Sequence, residues 1–455
     1  MANNAIKEIN GFNKEYEYFI ENYLLQLLGI SKGVTVLPYG DNNKTFPNVS
    51  FEEDAIIFAA GGTPRFKVNY QRGLSKDSKK LAIELCSAFF QVSEYQYSDQ
   101  KKNNRLQYSD VKRNALYQMA VQNGICKWLI DDNAAVEQLL DQLETWAVQT
   151  YEGKKVTFGF VIDPTDDTPP QICGEDWLEF LKSDFSALLT DSIHSVIQLD
   201  KNCGFVRYLS LTDNKTNIKG ATLTPDLPLR FTQSISEYVQ GSTIGIFLLN
   251  NGDIILAKDK SIKFVKRNRH WLNFSFEAFW NSAVLFRSGS KQMKPLLQDI
   301  YATMLDVSFA HTGGIIAVVR GADLLRSGEA PVLKPYDDLL QEPKQEVPSK
   351  VEEQRNQQAN ILKRSVIKNL VGSQKFQDLD RKLRSELTAM DGACILDMDG
   401  RIISFGAIIR SSEEASGGAR SAASKTLSKY GLAVKISTDG YVELYIDGDL
   451  KFSIK

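Results

Sequence analysis

MDGACILDMDGRIISFGAII, running from Met390 to Ile409, holds two apolar runs on either side of Asp399 and Gly400. Asp-Gly between such runs is a strong two-residue hairpin signal, because the favoured turn needs positive φ at both central residues. The runs therefore read as paired strands. C-terminal to them, a helix is expected over Ala419 to Tyr430, then the strand LAVKIST, a turn at Asp439 and Gly440, and a closing strand YVELYID. N-terminal to them stands a helix from about Gln377 to Ala389. Further upstream, KQMKPLLQDIYATMLDVSFAHTGG from about Lys291 has helical apolar spacing and stops at Gly313 and Gly314. GGIIAVV follows at once as a short apolar run, the pattern of a strand buried on both faces. Helix, strand, helix, hairpin, helix, hairpin in this order describes a mixed sheet flanked by helices, an α/β (α+β) domain.

Between Ala322 and about Lys368 the composition changes to Pro, Glu, Gln and Lys with few aromatics, which reads as a mobile insertion into that domain rather than a folded element. The rest of the chain divides into two further stretches. Residues 1–152 carry short strands and three helical segments, Asp77 to Tyr95, Asp110 to Ile130 and Ala134 to Tyr151. Residues 153–286 open with VTFGFVID, continue through a helix around Trp177 to Leu189, and then give the strand-rich runs HSVIQLD, GFVRYLSL, STIGIFLLNN and GDIILAKDKSIKFV. Expected domains are thus 1–152, 153–286 and 287–455, as suits a chain of 455 residues.

With 43% apolar and 24% charged residues the chain can build real cores, so disordered and collagen-like classes fall away. A net charge of -2 lacks the basic excess of sequence-independent nucleic-acid binders. No signal peptide or membrane-spanning apolar run is present, and a cytoplasmic protein is expected. Neither membrane nor nucleic acid is expected as a partner. Cys86, Cys126, Cys173, Cys203 and Cys394 are odd in number, widely spaced and without CxxC, which reads as reduced, mostly buried thiols. With only three histidines, a zinc site or a His-based triad has little material. A metal, if used, would be a hard cation on carboxylate and phosphate oxygens. RNRHW around His270 and Trp271 reads either as a ligand edge or as a strand-end aromatic in the core.

Two constellations carry chemistry. Asp391, Gly392 and Ala393 lie where a helix hands over to a buried strand; a carboxylate there can hold a divalent cation, and the glycine lets backbone approach a ligand. The same three residues also suit an ordinary turn. In SGGARSAASKTLSKYG, small residues from Ser416 to Ala419 open a helix with Arg420 in its first turn, where backbone N–H groups and a guanidinium suit phosphate. A small-residue cap with a solvated arginine is the alternative. A P-loop is excluded, because Ser424 precedes Lys425 where glycine is required.

From about Lys291 to Lys455 the chain resembles the diadenylate cyclase domain family. HTGGIIAVVR resembles that family's opening strand, MDGACILDMDGRIISFGAII its Asp-Gly-Ala strand and hairpin, GARSAASKTLS its Gly-Thr-Arg-His-Arg-Ala-Ala segment, and AVKIST with Ser437 its Val-Ser strand. The resemblance implies one ATP per subunit, subunits pairing face to face as a homodimer or higher homo-oligomer, and two ATP joined into cyclic di-AMP. It further implies that Asp391 binds Mg²⁺ or Mn²⁺ near the attacking hydroxyl and that Arg420 holds phosphate oxygens. Gly392, Ala393, Gly418, Ala419, Ser421 and Ser437 would line the nucleotide cleft. The pattern departs at one place: the family's Thr-Arg-His-Arg is here Ala419, Arg420, Ser421 and Ala422. Two functions therefore stand side by side: a cyclase governed by a sensor region in the first ~280 residues, receiving an unidentified signal, and a nucleotide-binding sensor or scaffold without turnover.

Overall fold

The computed structural model describes residues 14–30, 34–37, 48–59, 65–70, 74–100, 110–130, 134–192, 194–211, 228, 238–283, 286, 293–327, 332–341, 351–410 and 418–455. The chain forms two compact units, one of Met1–Thr222 with Gln233–Asn281 and one of Leu223–Thr232 with Ser282–Lys455. Both are mixed α/β.

In the first unit, strands β1 (Val34–Leu37), β2 (Asn48–Phe51), β3 (Ala55–Ala59) and β4 (Arg65–Asn69) form an antiparallel sheet in the order β1-β4-β3-β2. Helices α1 (Lys76–Gln100), α2 (Asp110–Leu129) and α3 (Ala134–Ala147) follow, and β5 (Thr150–Tyr151) pairs with β6 (Lys154–Lys155). A seven-stranded sheet then takes β7 (Phe158–Ile162), β8 (Ser195–Leu199), β9 (Phe205–Ser210), β10 (Ile244–Leu248), β11 (Ile254–Lys258), β12 (Ser261–Arg267) and β13 (His270–Asn273) in the order β13-β12-β11-β10-β7-β8-β9. Only β7 and β8 run parallel within it. One apolar core runs through Phe58 and Phe66 of the small sheet, Phe89 of α1, Leu140 of α3 and Phe158, Ile246 and Leu256 of the large one. It thus spans both stretches distinguished in the sequence before residue 281. The helix expected over Trp177 to Leu189 is split into α4 (Gly174–Leu181) and a 3₁₀ turn at Asp184–Leu188. Trp271 sits in the core at 6% exposure, while His270 is exposed with its Nδ1 2.8 Å from Gln118 Nε2.

The second unit is built on a six-stranded mixed sheet, β14 (Gly314–Val319), β15 (Ala393–Asp397), β16 (Ile402–Ala407), β17 (Gly431–Ile436), β18 (Val442–Ile446) and β19 (Asp449–Ile454), in the order β16-β15-β14-β17-β18-β19. β14 is buried along its whole length, as its unbroken apolar run requires. Gly400 and Gly440 take positive φ, 79° and 76°, but Asp399 and Asp439 do not; the Asp397 N–H donates to the Arg401 carbonyl and the Gly400 N–H to that of Asp397, so the expected two-residue turn at Asp399 and Gly400 is instead a three-residue one, residues 398–400, closed by the glycine. A third Asp-Gly pair, Asp447 and Gly448 with φ of 51° and 88°, turns the chain once more, so the sheet closes with β19 rather than with YVELYID. Helix α5 (Met293–Ala310) is joined to α7 (Arg381–Thr388) by two ion pairs: Arg381 donates to both Asp306 oxygens at 2.8 and 3.0 Å, and Arg384 lies 2.8 Å from Asp299. Asp380 caps α7, accepting from the Lys382 and Leu383 N–H groups.

The expected insertion is corrected in part. Its middle, residues 342–350, lies outside the described residues, but Val351–Val371 forms a helix, α6. Arg364, Ile367 and Val371 are buried at i, i+3 and i+7, a narrow face that the Gln-, Glu- and Lys-rich composition conceals although those residues are good helix formers. Arg364 fixes the helix by donating to the carbonyls of Asp338 and Gln341 at 3.1 and 2.6 Å. Among the described residues no helix is long and apolar enough to cross a membrane.

Candidate functional site

Strand register brings the candidate residues of the second unit to one end of its sheet. β14 and β15 run parallel with Ile316 opposite Cys394, so Gly314 and Gly392 open their strands side by side. β17 runs antiparallel to β14 with Ile436 opposite Gly314, and Ala407 of β16 lies opposite Ala393. The starts of β14 and β15 and the ends of β16 and β17 therefore share one rim. The last of the candidates comes from helix α8 (Gly418–Ser428): a Cβ placed on Gly313, whose φ is 73°, would lie 3.0 Å from Arg420 Nη1 and 3.3 Å from the Ile436 carbonyl oxygen. The guanidinium thus lies over the bare Cα of Gly313, at the gap between the two strand ends. Ser416 and Gly417, which precede the helix, lie outside the described residues.

Asp391 is exposed, and among the described residues its carboxylate has no hydrogen-bond or ion-pair partner; the same holds for the Arg420 guanidinium. Gly392, at φ of 105°, sits so close to the next strand that a Cβ would be 2.4 Å from the Gly406 carbonyl carbon. Ala393 is fully buried under the rim. Gly418 and Ala419 are exposed at the first turn of α8. Ser421 faces the sheet, 4% exposed, and its hydroxyl accepts from the Lys435 ammonium at 2.7 Å. Ser437 closes the β17–β18 turn, its Oγ accepting from the Tyr441 N–H at 3.1 Å. Among the described residues no group of three His, Cys, Asp or Glu side chains gathers to hold a metal. A single open carboxylate suits a cation that takes its other oxygens from phosphate and water.

Two groups escaped the sequence reading. From α6, Lys363 donates to the Gly406 carbonyl and lies 3.7 Å from Asp337; a Cβ on Gly406 would be 3.0 Å from its Nζ and 3.1 Å from the Asp391 carbonyl. A second cation therefore stands beside the Asp391 backbone. Burial pushes the Asp337 carboxyl up, opposed by Lys363 and by the Ile408 N–H. Beneath α8, Glu443 accepts from Lys435 at 2.8 Å, from the Tyr445 hydroxyl at 2.8 Å, and pairs with Lys455. Burial raises the Glu443 carboxyl, but these three donors together outweigh it and hold it at about 2. Lys435 and Glu443 are cross-strand partners about the Asp439–Gly440 turn, a pairing that counting outward from the turn would reveal. Lys363 has no such local signal. Cys394 is buried at 1%, and burial drives its thiol well above the ordinary range, away from thiolate chemistry.

No protein-family model matches the chain, and no curated protein matches it. Among the solved structures that are distantly similar to part of it are two that follow. A hypothetical membrane spanning protein from Bacillus cereus aligns over 39% of this chain and 71% of its own, at 15% identity and a TM-score of 0.25. A double mutant of DacA from Staphylococcus aureus aligns over 35% of this chain and 87% of its own, at 14% identity and a TM-score of 0.21.

Proposed function

We propose that the second unit binds ATP at the rim described above and condenses two ATP molecules into cyclic di-AMP and pyrophosphate. The observation that carries this reading is the convergence of a carboxylate, Asp391, and a guanidinium, Arg420, each without a partner among the described residues, on one sheet end floored by Gly313 and Gly392. The ordered resemblance of the surrounding motifs to the diadenylate cyclase domain supports it. In each half-reaction the 3′-hydroxyl oxygen of one ATP forms a bond to the α-phosphorus of the other while its proton passes to water, and the bond to the bridging oxygen breaks to release pyrophosphate. Arg420 and the open N–H groups of α8 neutralise the phosphates, and Gly392 and Gly418 give the nucleotide access to backbone. Asp391 is the residue that would hold Mg²⁺ or Mn²⁺, which supplies charge neutralisation on the phosphates. A two-fold product from two identical substrates suits a face-to-face pair of subunits.

One observation favours the second reading, a nucleotide-binding sensor without turnover. At the positions where the resembled motif has histidine and its second arginine, Ser421 is committed to Lys435 and Ala422 is buried at 7%, so neither can supply a cation. Lys363 is the candidate substitute. Incubation of the purified protein with ATP and Mg²⁺ or Mn²⁺, with products resolved by mass spectrometry, separates the two. Cyclic di-AMP from the wild type and none from Asp391→Asn is the expected result. ATP binding without any dinucleotide would replace the cyclase with the sensor.

A further inference from the structure

The first unit contains a cleft of about 740 Å³ between the C-terminal half of α3, the β10–β11 turn and the β12–β13 turn. That volume falls within the range of small-molecule sites. Its charges are of both signs and only partly used within the wall. Lys266, 7% exposed, is consumed by Glu144 and by Gln122, to whose Oε1 it donates at 2.6 Å; the Gln122 amide in turn donates to Asp141 Oδ1 at 3.0 Å. This leaves Asp141 Oδ2 and the second Glu144 oxygen without a partner among the described residues. Arg269 likewise makes no hydrogen bond or ion pair to any described residue, and it is exposed at the mouth. Asp141 and Arg269 both act on the Lys266 ammonium, the first favouring its charge and the second opposing it, so both lie close to the floor of the cleft.

The turn that carries Arg269 is the second observation. Asn268 and Arg269 take φ of 50° and 68° between β12 and β13, a two-residue turn whose second position favours glycine. An arginine there bears a backbone cost, and its side chain has no partner among the described residues to offset it. We propose that this cleft binds a small zwitterionic ligand of the amino-acid class, its carboxylate on Arg269 and its ammonium on Asp141 and Glu144. A phosphate-rich ligand would meet the two carboxylates, and a simple cation would meet Arg269; a ligand bearing both charges satisfies each group.

The test uses the full chain, thermal unfolding and calorimetric titration with the twenty standard L-amino acids, and the N-acetyl and C-amide forms of any that bind. At least one amino acid raises the unfolding midpoint of the wild type, and blocking either end weakens it by about tenfold or more. Arg269→Gly gives the sharper result: the free protein unfolds at a higher temperature, because glycine accepts the left-handed turn, yet the ligand response disappears. Asp141→Asn loses the response too. The proposal is overturned if none of the amino acids shifts the midpoint, if blocked forms bind as well as the free ones, or if Arg269→Gly keeps the wild-type affinity.

Discussion

Gly392 is held at φ of 105° with the backbone of Gly406 where a side chain would stand. Two penalties fall on any replacement: a conformation that L residues avoid, and a contact with peptide atoms that cannot swing aside. Gly392→Ala is expected to destabilise the second unit by about 3 kcal/mol, combining backbone strain with overpacking. Urea titration measures it, and a loss below about 0.5 kcal/mol, the size of a neutral surface change, would mean the rim is pliable. Arg420 makes the opposite case. Its guanidinium has no partner among the described residues, so Arg420→Ala leaves unfolding almost unchanged, whereas loss of a charged hydrogen bond of about 1.5–3 kcal/mol weakens ATP binding roughly tenfold to a hundredfold. Titration with a non-hydrolysable ATP analogue reads this directly; unchanged affinity would remove Arg420 from the phosphates.

Helix α8 rests on a polar seam rather than on apolar contacts alone: Ser421, Lys435, Glu443, Tyr445 and Lys455 are joined under it. The folded pKa of Glu443, about 2, lies below its ordinary 4.5, so the unfolded chain binds more protons between those values. The stabilisation is fully present above about 4.5 and is lost as pH falls through about 2. Glu443→Gln should flatten that acid limb in denaturant titrations from pH 5 to 2; an unchanged limb would show that the seam does not hold the carboxylate charged. At this scale the sequence was legible where one pattern sufficed. β14, β15 and β16 announced themselves by apolar runs and an Asp-Gly turn. β19 carries the same Asp-Gly signal at Asp447 and Gly448, but its strand, DLKFSI, interleaves Leu450, Phe452 and Ile454 with polar residues and so shows no apolar run of the kind that marks β14 to β16. α6 was hidden for a physical reason: the described part of its buried face is Arg364, Ile367 and Val371, one charged residue and two aliphatics set in a Gln-, Glu- and Lys-rich run, so its apolar stripe is too narrow to stand out. Lys363 reaches the site from 43 residues before Gly406, and no local pattern encodes that.

For the molecule as a whole, the proposed chemistry makes a demand that one chain cannot meet. Two phosphodiester bonds close the product, and by symmetry each is made in one half of a paired site. A pair in which one subunit carries Asp391→Asn retains a single competent half. It can form the first bond, releasing one pyrophosphate, but not the second, and it leaves a linear dinucleotide that still bears a 5′-triphosphate. With equal amounts of wild type and Asp391→Asn pairing at random, about half of all pairs are mixed and about a quarter are fully active. Cyclic product per wild-type subunit therefore falls to about half, and the linear species, absent from either protein alone, accumulates in the mixture. Mass spectrometry distinguishes the two products by the retained triphosphate. If the mixture instead yields cyclic product in simple proportion to the wild-type protein, with no linear dinucleotide, the two bonds are not divided between subunits and the face-to-face site must be given up.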